Sequence, residues 1–304
     1  MALLFLPIVV GMPHLYEWSH ADAVAADPIL QHKRIYLNVP FFLVRAVLYF
    51  AGWILFSYLL NKWSAEEDRA TAPLAINRKL QLLSGPGLLF YAASVTFMAV
   101  DWILSINPHW FSTIFALLVI AGQGLSALSL MIAVVVFLTN FRPFSEIITP
   151  RHLHDLGKLA LALVMVWAYF SFSQFLIIWS GNLPHEIPFY VSRLQGGWQY
   201  VGVVLLLLHF ALPFALLLSR DLKRNFRFLS RIAGLILVMR FVDLFWFVAP
   251  EFHKHNLAVS WMDLLLPIAL GGIWLAFFIW QLQKRPLLPL RDPHLEEALA
   301  HGKE

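Results

Sequence analysis

Ionisable and amide side chains set inside long apolar stretches are the residues of this sequence that could do chemistry. Gln174 interrupts FSQFLIIWS, and the polar knot Pro184-His185-Glu186 follows that stretch at once. Arg240 and Asp243 lie three residues apart in VMRFVDLFW, His209 lies in LLLLHFALP and Asp101 in FMAVDWILS. Arg45, Gln123 and Asp263 occupy similar surroundings. A charge at mid-membrane costs roughly 2.5–3.5 kcal/mol on insertion scales, so each needs a partner or a purpose. Carboxylate, amide and imidazole groups joined by water can relay protons. Asp101, Gln174, Arg240, Asp243, His209 and Asp263 are therefore candidates for a proton path. The same residues could instead pair to fix helix packing: Arg240 with Asp243 on one helix face, Arg45 with Asp101 or Asp263. Gln123 and Gln174 also read as hydrogen-bond partners between helices.

Two further clusters titrate near span ends. His152, His154, Asp155 and Lys158, in RHLHDLGK, could form an inner proton inlet. They could equally be a solvated helix start with Asp155 as its N-cap, and the cap is the favoured reading. His109, His185 and Glu186 could form an outer mouth or a docking surface for a partner protein. His209 is the lone histidine deep in a span, which argues against a bis-histidine haem; it reads as a neutral, hydrogen-bonded core histidine, with a quinone or proton partner as the next option. The pair His253 and His255 is a weak metal motif, and no metal site, phosphate loop or nucleophile elbow is expected.

The elements that must position these groups are membrane helices. The sequence is 60% hydrophobic and 13% charged, with 26 Phe and 12 Trp, whereas a soluble domain carries about 25% charge. Seven continuous apolar segments lie near 39–60, 85–106, 111–139, 156–180, 198–218, 229–249 and 259–281. Each is long enough for a transmembrane helix, and none alternates as a barrel strand would. The stretch 1–12 is apolar but shorter than the about 20 residues a bilayer takes, and is expected to be part of a helix that begins before the sequence does. The expected fold is thus all-α and integral to the membrane: antiparallel bundles with seven full spans in one polytopic domain, 13–285, and a polar tail, 286–304, that reads as disordered. Lys and Arg concentrate in alternate loops, which places the C-terminus on the cytoplasmic side. The net charge of +4 reflects those loops and not nucleic-acid binding. With no cysteine, thiolate-held iron–sulfur clusters and covalent c-type haem are excluded from this chain. Pro213 and Pro267 should kink their helices.

Long stretches carry a resemblance: VAADPILQHKRIYLNVPFFLVRAVLYF, LSGPGLLFYAASVTFMAVDWILSINPHWFSTIF, RHLHDLGKLALA, YFSFSQFLIIWSGNLPHEIPFY with RLQGGW, and VMRFVDLFW. Together they resemble the ActF family of bacterial alternative complex III, within the NrfD/PsrC-like (polysulfide-reductase-like) membrane proteins. The resemblance covers almost the whole chain. It implies two four-helix bundles with flanking helices, about ten spans in all, of which the first ones would be missing here. It implies a cofactor-free subunit, not catalytically complete alone, in the inner membrane of a bacterium. Its partners would be a sister NrfD-like membrane subunit, an iron–sulfur subunit and c-type cytochrome subunits. The complex would oxidise menaquinol and pass electrons to a periplasmic cytochrome c or an oxidase, and this subunit would contribute a proton path. A purely structural anchor is the alternative. A secondary transporter fits less well, because matched broken helices are not evident in two halves.

Overall fold

A computed structural model describes residues 2–70, 73–253, 256–289 and 291–301. Every regular element among them is helical. Seven helices are long and apolar enough to cross a membrane, so the architecture is that of an all-α, multi-pass membrane bundle. In chain order, the elements that matter are α1 (Val39–Glu67), α2 (Pro73–Trp102), α3 (Phe115–Leu138), α4 (Pro150–Gly181), a short α5 (Pro188–Arg193), α6 (Trp198–Leu218), a short α7 (Arg220–Arg224), α8 (Phe226–Phe252) and α9 (Trp261–Gln283). Several helices run past the expected spans. α1 continues to Glu67 and α2 begins at Pro73, because helix-forming polar sequence extends both beyond the apolar window.

The chain divides into two compact units. The first holds Met1–Ser94, Ser105–Pro108 and Ala258–Glu296. Here Phe42 of α1 is buried against Phe5, Tyr16 and Trp18, and the Trp18 indole donates to the Ser105 carbonyl at 3.1 Å. The N-terminal stretch is thus short helices packed on α1 by aromatic rings. Arg45 lies on the rings of Tyr36 and Phe41, at 3.9 and 4.3 Å, and donates to the Tyr36 carbonyl. Asp263, a candidate for the proton path, completes the start of α9: its carboxylate accepts from the Ser260 amide at 2.8 Å, and the Ser260 hydroxyl accepts from the Asp263 amide in a capping box. α9 has no buried residue along its length. The tail contains a helix, Leu295–His301, where disorder was expected. Asp292 accepts from the His294 amide just ahead of it, and the acidic run Glu296-Glu297 favours that N-terminal turn.

The second unit holds Val95–Leu104, His109–Leu257 and Glu297–Glu304. α3 packs between α8 and α4, and α6 packs on α4 and α8. The inward faces repeat every three or four residues: Phe115, Leu118, Gly122, Leu125, Ser129 and Ile132 on α3; Gly157, Ala160, Val164, Trp167 and Gln174 on α4; Ile232, Ile236, Met239, Arg240, Asp243 and Phe247 on α8. That is the spacing of one helix face. Mid-bundle it carries polar residues as well as apolar ones, and those build the site.

Candidate functional site in the second unit

The centre of the unit is a carboxylate, Asp243, 1% exposed. Its Oδ2 accepts from the Arg240 guanidinium one turn back on α8 and from the Trp167 indole Nε1 of α4, at 3.2 Å. Arg240 reaches this place because α3 offers it a glycine: a Cβ at Gly122 would land on the guanidinium. The other side of Trp167 meets His209 of α6, edge to face, with ring centroids 4.3 Å apart. Four helices thus contribute to one cluster: His209, Trp167, Asp243 with Arg240, and Gly122.

The cluster is incompletely satisfied. His209 is fully buried, and neither of its ring nitrogens has a hydrogen-bond partner among the described residues. This corrects the expectation of a hydrogen-bonded core histidine. The Arg240 Nε and the hydroxyls of Ser129 and Ser171 are likewise buried without a partner. Buried polar groups are ordinarily paired, with protein or with water, so such a group asks for an explanation. His209 also sits in a π-helical stretch, Leu205–Ala211. Pro213 accounts for the irregularity, since it has no N–H to return to the His209 carbonyl four residues back.

A second polar layer lies two turns along α4. The Gln174 amide donates to the Tyr190 hydroxyl at 3.3 Å and its Oε1 accepts from Ser112 at 3.2 Å. Trp167, Ser171 and Gln174 share one face of α4, and seven residues span about 10 Å of helix. Polar groups therefore continue from the Asp243 cluster towards the end of the unit that holds His185. Burial among rings pushes the Tyr190 phenol up to about 12; its bonds to Gln174 and the nearby Arg193 oppose that rise without cancelling it.

That end also holds Arg193, a cation near a span end in the sequence that is fully buried in the fold. Its Nε donates to the Trp246 carbonyl at 3.1 Å, one terminal nitrogen to the Phe247 carbonyl at 2.7 Å, and the other to Phe189 and to Glu251, at 2.9 and 3.1 Å. Pro250, inside α8, supplies the reason. Without an N–H it cannot bond the carbonyl of Trp246, four residues earlier, and Arg193 takes that carbonyl instead. The Phe189 ring is held between the guanidinium, 3.5 Å away, and Trp110, stacked at 4.0 Å. Burial lowers the Arg193 guanidinium to about 10, against the pull of Glu251.

Asp101 is fully buried at the end of α2, in this same unit. His109 and His185 are exposed, and Glu186 accepts the Trp110 indole through its backbone carbonyl. Asp155 does not cap α4. Thr149 is the N-cap and His152 completes the capping box, while Asp155, already inside the helix, pairs with Lys158 at 3.0 Å. The cap falls earlier because Pro150 suits the first helical position. Between His154 and Trp167 the inward face of α4 is Gly157, Ala160 and Val164, and α8 faces it with Leu229, Ile232, Ala233 and Ile236. About 20 Å of packing that is apolar on these two faces thus separates the RHLHDLGK cluster from Asp243, and the structure does not bring the two together. Among the described residues no three His, Cys, Asp or Glu side chains form a metal-binding group; His255 lies outside them.

Sequence reasoning missed Arg193, Tyr190, Trp167 and the two serines. The signal for Arg193 was available: a proline near the end of an apolar helix frees a carbonyl, and a nearby arginine is its natural donor. Nothing comparable pointed to Trp167. No protein-family model matches the chain, and no curated protein matches it at a significant level.

Proposed function

We propose that this chain is an integral membrane subunit of a quinol-oxidising respiratory complex of the alternative complex III type, carrying no redox cofactor of its own and contributing a proton-conducting interior and a scaffold. The stretches of sequence that resemble the ActF family support this assignment. In that setting the chain sits in a bacterial inner membrane with its basic loops and C-terminus in the cytoplasm. A sister NrfD-like subunit, an iron–sulfur subunit and c-type cytochromes would carry electrons from menaquinol to a periplasmic cytochrome c or oxidase.

The observation that carries the proton reading is the Asp243 cluster: a carboxylate and an imidazole with both nitrogens unsatisfied, with the unpaired Ser171 hydroxyl one turn beyond Trp167, all buried. Polar groups of that kind are stable when water bridges them, and a hydrated row of ionisable groups passes protons. The polar row runs from Asp243 past Ser171 to Gln174, while beneath Trp167 the facing sides of α4 and α8 are apolar and continue no such row. The row therefore serves as a half-path that opens at the His185 end. The direct ion pair between Arg240 and Asp243 favours a second reading, in which the charges only hold helices together.

The test is made on the assembled complex in liposomes, with Asp243→Asn against wild type. Quinol oxidation rate and protons released per electron are both measured. Conserved turnover with a lower proton ratio supports conduction through Asp243. Unchanged values of both assign it to packing.

A further inference from the structure

The corner where α4 starts and α6 hands over to α7 and α8 presents cations that the bundle does not use. Lys223 is 7% exposed, yet its ammonium takes no hydrogen bond or ion pair among the described residues. Its stem lies in a slot made by a glycine: a Cβ at Gly157 would come within 2.8 Å of the Lys223 Cγ. The fold thus threads a lysine past α4 so that its aliphatic part is buried and its charge emerges at the bundle end, as long cationic side chains do at membrane interfaces. Arg224 beside it is exposed and has no ion pair among the described residues. His154, whose Nδ1 is buried without a partner, lies within electrostatic reach of Lys158, Lys223 and Arg224. The acidic groups nearby do not neutralise this charge: Asp155 already holds Lys158, and Asp221 is a single exposed carboxylate. One step deeper along the spans, Leu218 is 57% exposed.

We propose that this corner binds an anionic phospholipid, its phosphate held by Lys223 and Arg224 and an acyl chain lying along Leu218. The position fits a headgroup rather than a soluble anion. The charges sit at the ends of three spans, where headgroups lie, and the surface next to them is apolar and outward-facing. Basic pockets between transmembrane helices on one side of a bilayer are the usual sites for such lipids. The site is independent of any proton path through Asp243.

The test uses the full-length protein in mild detergent, supplied with dioleoyl phosphatidylglycerol or dioleoyl phosphatidylcholine and examined by native mass spectrometry for retained lipid. Wild type is expected to retain phosphatidylglycerol in preference. Lys223→Gln should lower that retention about five-fold, the worth of one cation at a membrane surface. Arg224→Gln, at an exposed position, should do the same and carries the test if Lys223→Gln does not fold. Excess inorganic phosphate should not displace the lipid. Equal retention of the two lipids, retention unchanged in Arg224→Gln, or displacement by inorganic phosphate each overturns the proposal. Unchanged lipid retention in Arg224→Gln together with lost assembly into a complex would identify a protein contact instead.

Discussion

Gly122→Ala adds one methyl group at the place where it should do most harm. The new Cβ meets the Arg240 guanidinium, which cannot withdraw without leaving Asp243. In an ordinary helix interior the substitution would stabilise by about 1 kcal/mol. Here it separates a buried pair, and leaving a buried charge uncompensated costs about 3–5 kcal/mol. The net expectation is a loss of about 2–4 kcal/mol, measured by equilibrium unfolding in mild detergent with tryptophan fluorescence as the readout. The sign should reverse in a background that lacks the pair. With Arg240→Ala and Asp243→Asn already in place, Gly122→Ala meets nothing and should stabilise by about 1 kcal/mol. The clash argument is refuted if Gly122→Ala is neutral or stabilising in the wild-type protein, or if it costs the same in both backgrounds.

Arg193→Leu should destabilise by several kcal/mol, because it leaves the Trp246 and Phe247 carbonyls and the Glu251 carboxylate without their donor; adding Pro250→Ala, which restores an N–H to the Trp246 carbonyl, should recover part of the loss in the same unfolding assay. Tyr190 holds its proton more tightly folded than unfolded, its pKa rising from 10.0 to about 12. Its contribution is therefore fully present below pH about 10 and lost as pH climbs towards about 12. Tyr190→Phe should flatten that part of the stability–pH curve, and phenolate absorbance should show one tyrosine titrating late in the wild type. At the start of α4, Thr149→Ala should cost about 1 kcal/mol, as loss of an N-cap does. Asp155→Ala should change stability by less than half of that, its pair with Lys158 being exposed.

The apolar runs made all seven spans legible, since a 20-residue greasy stretch has few other uses. Arg240 with Asp243 was equally legible: two opposite charges one turn apart in oil have little choice but to meet. What the sequence could not carry was contact across helices. Trp167 reads as one more aromatic among many, and only the packing of α4 between α6 and α8 makes it the bridge from His209 to Asp243. Arg193 was misplaced for a related reason. Counting loop charges treats every cation near a span end as solvated, whereas a proline in a neighbouring helix can draw one inwards. Asp155 was misread because cap propensity is local: Pro150 moved the helix start upstream and left Asp155 inside. Asp263 shows the converse, a carboxylate in an apolar run that a serine three residues before it draws into a capping box.

The π-helical stretch Leu205–Ala211 bears on the ancestry of α6. A π turn accommodates one residue more than an α turn, so beside Pro213 this span can hold a single inserted codon without breaking the helix. Removing one residue there would return the span to an α-helix. Everything on one side of the repair would then rotate by about 100°, so Trp198 and Leu217, both fully buried, could no longer face the core together. When homologous chains are aligned, a one-residue gap inside this membrane helix is therefore to be expected near His209. Sequences with the gap should carry compensating changes on only one half of the span.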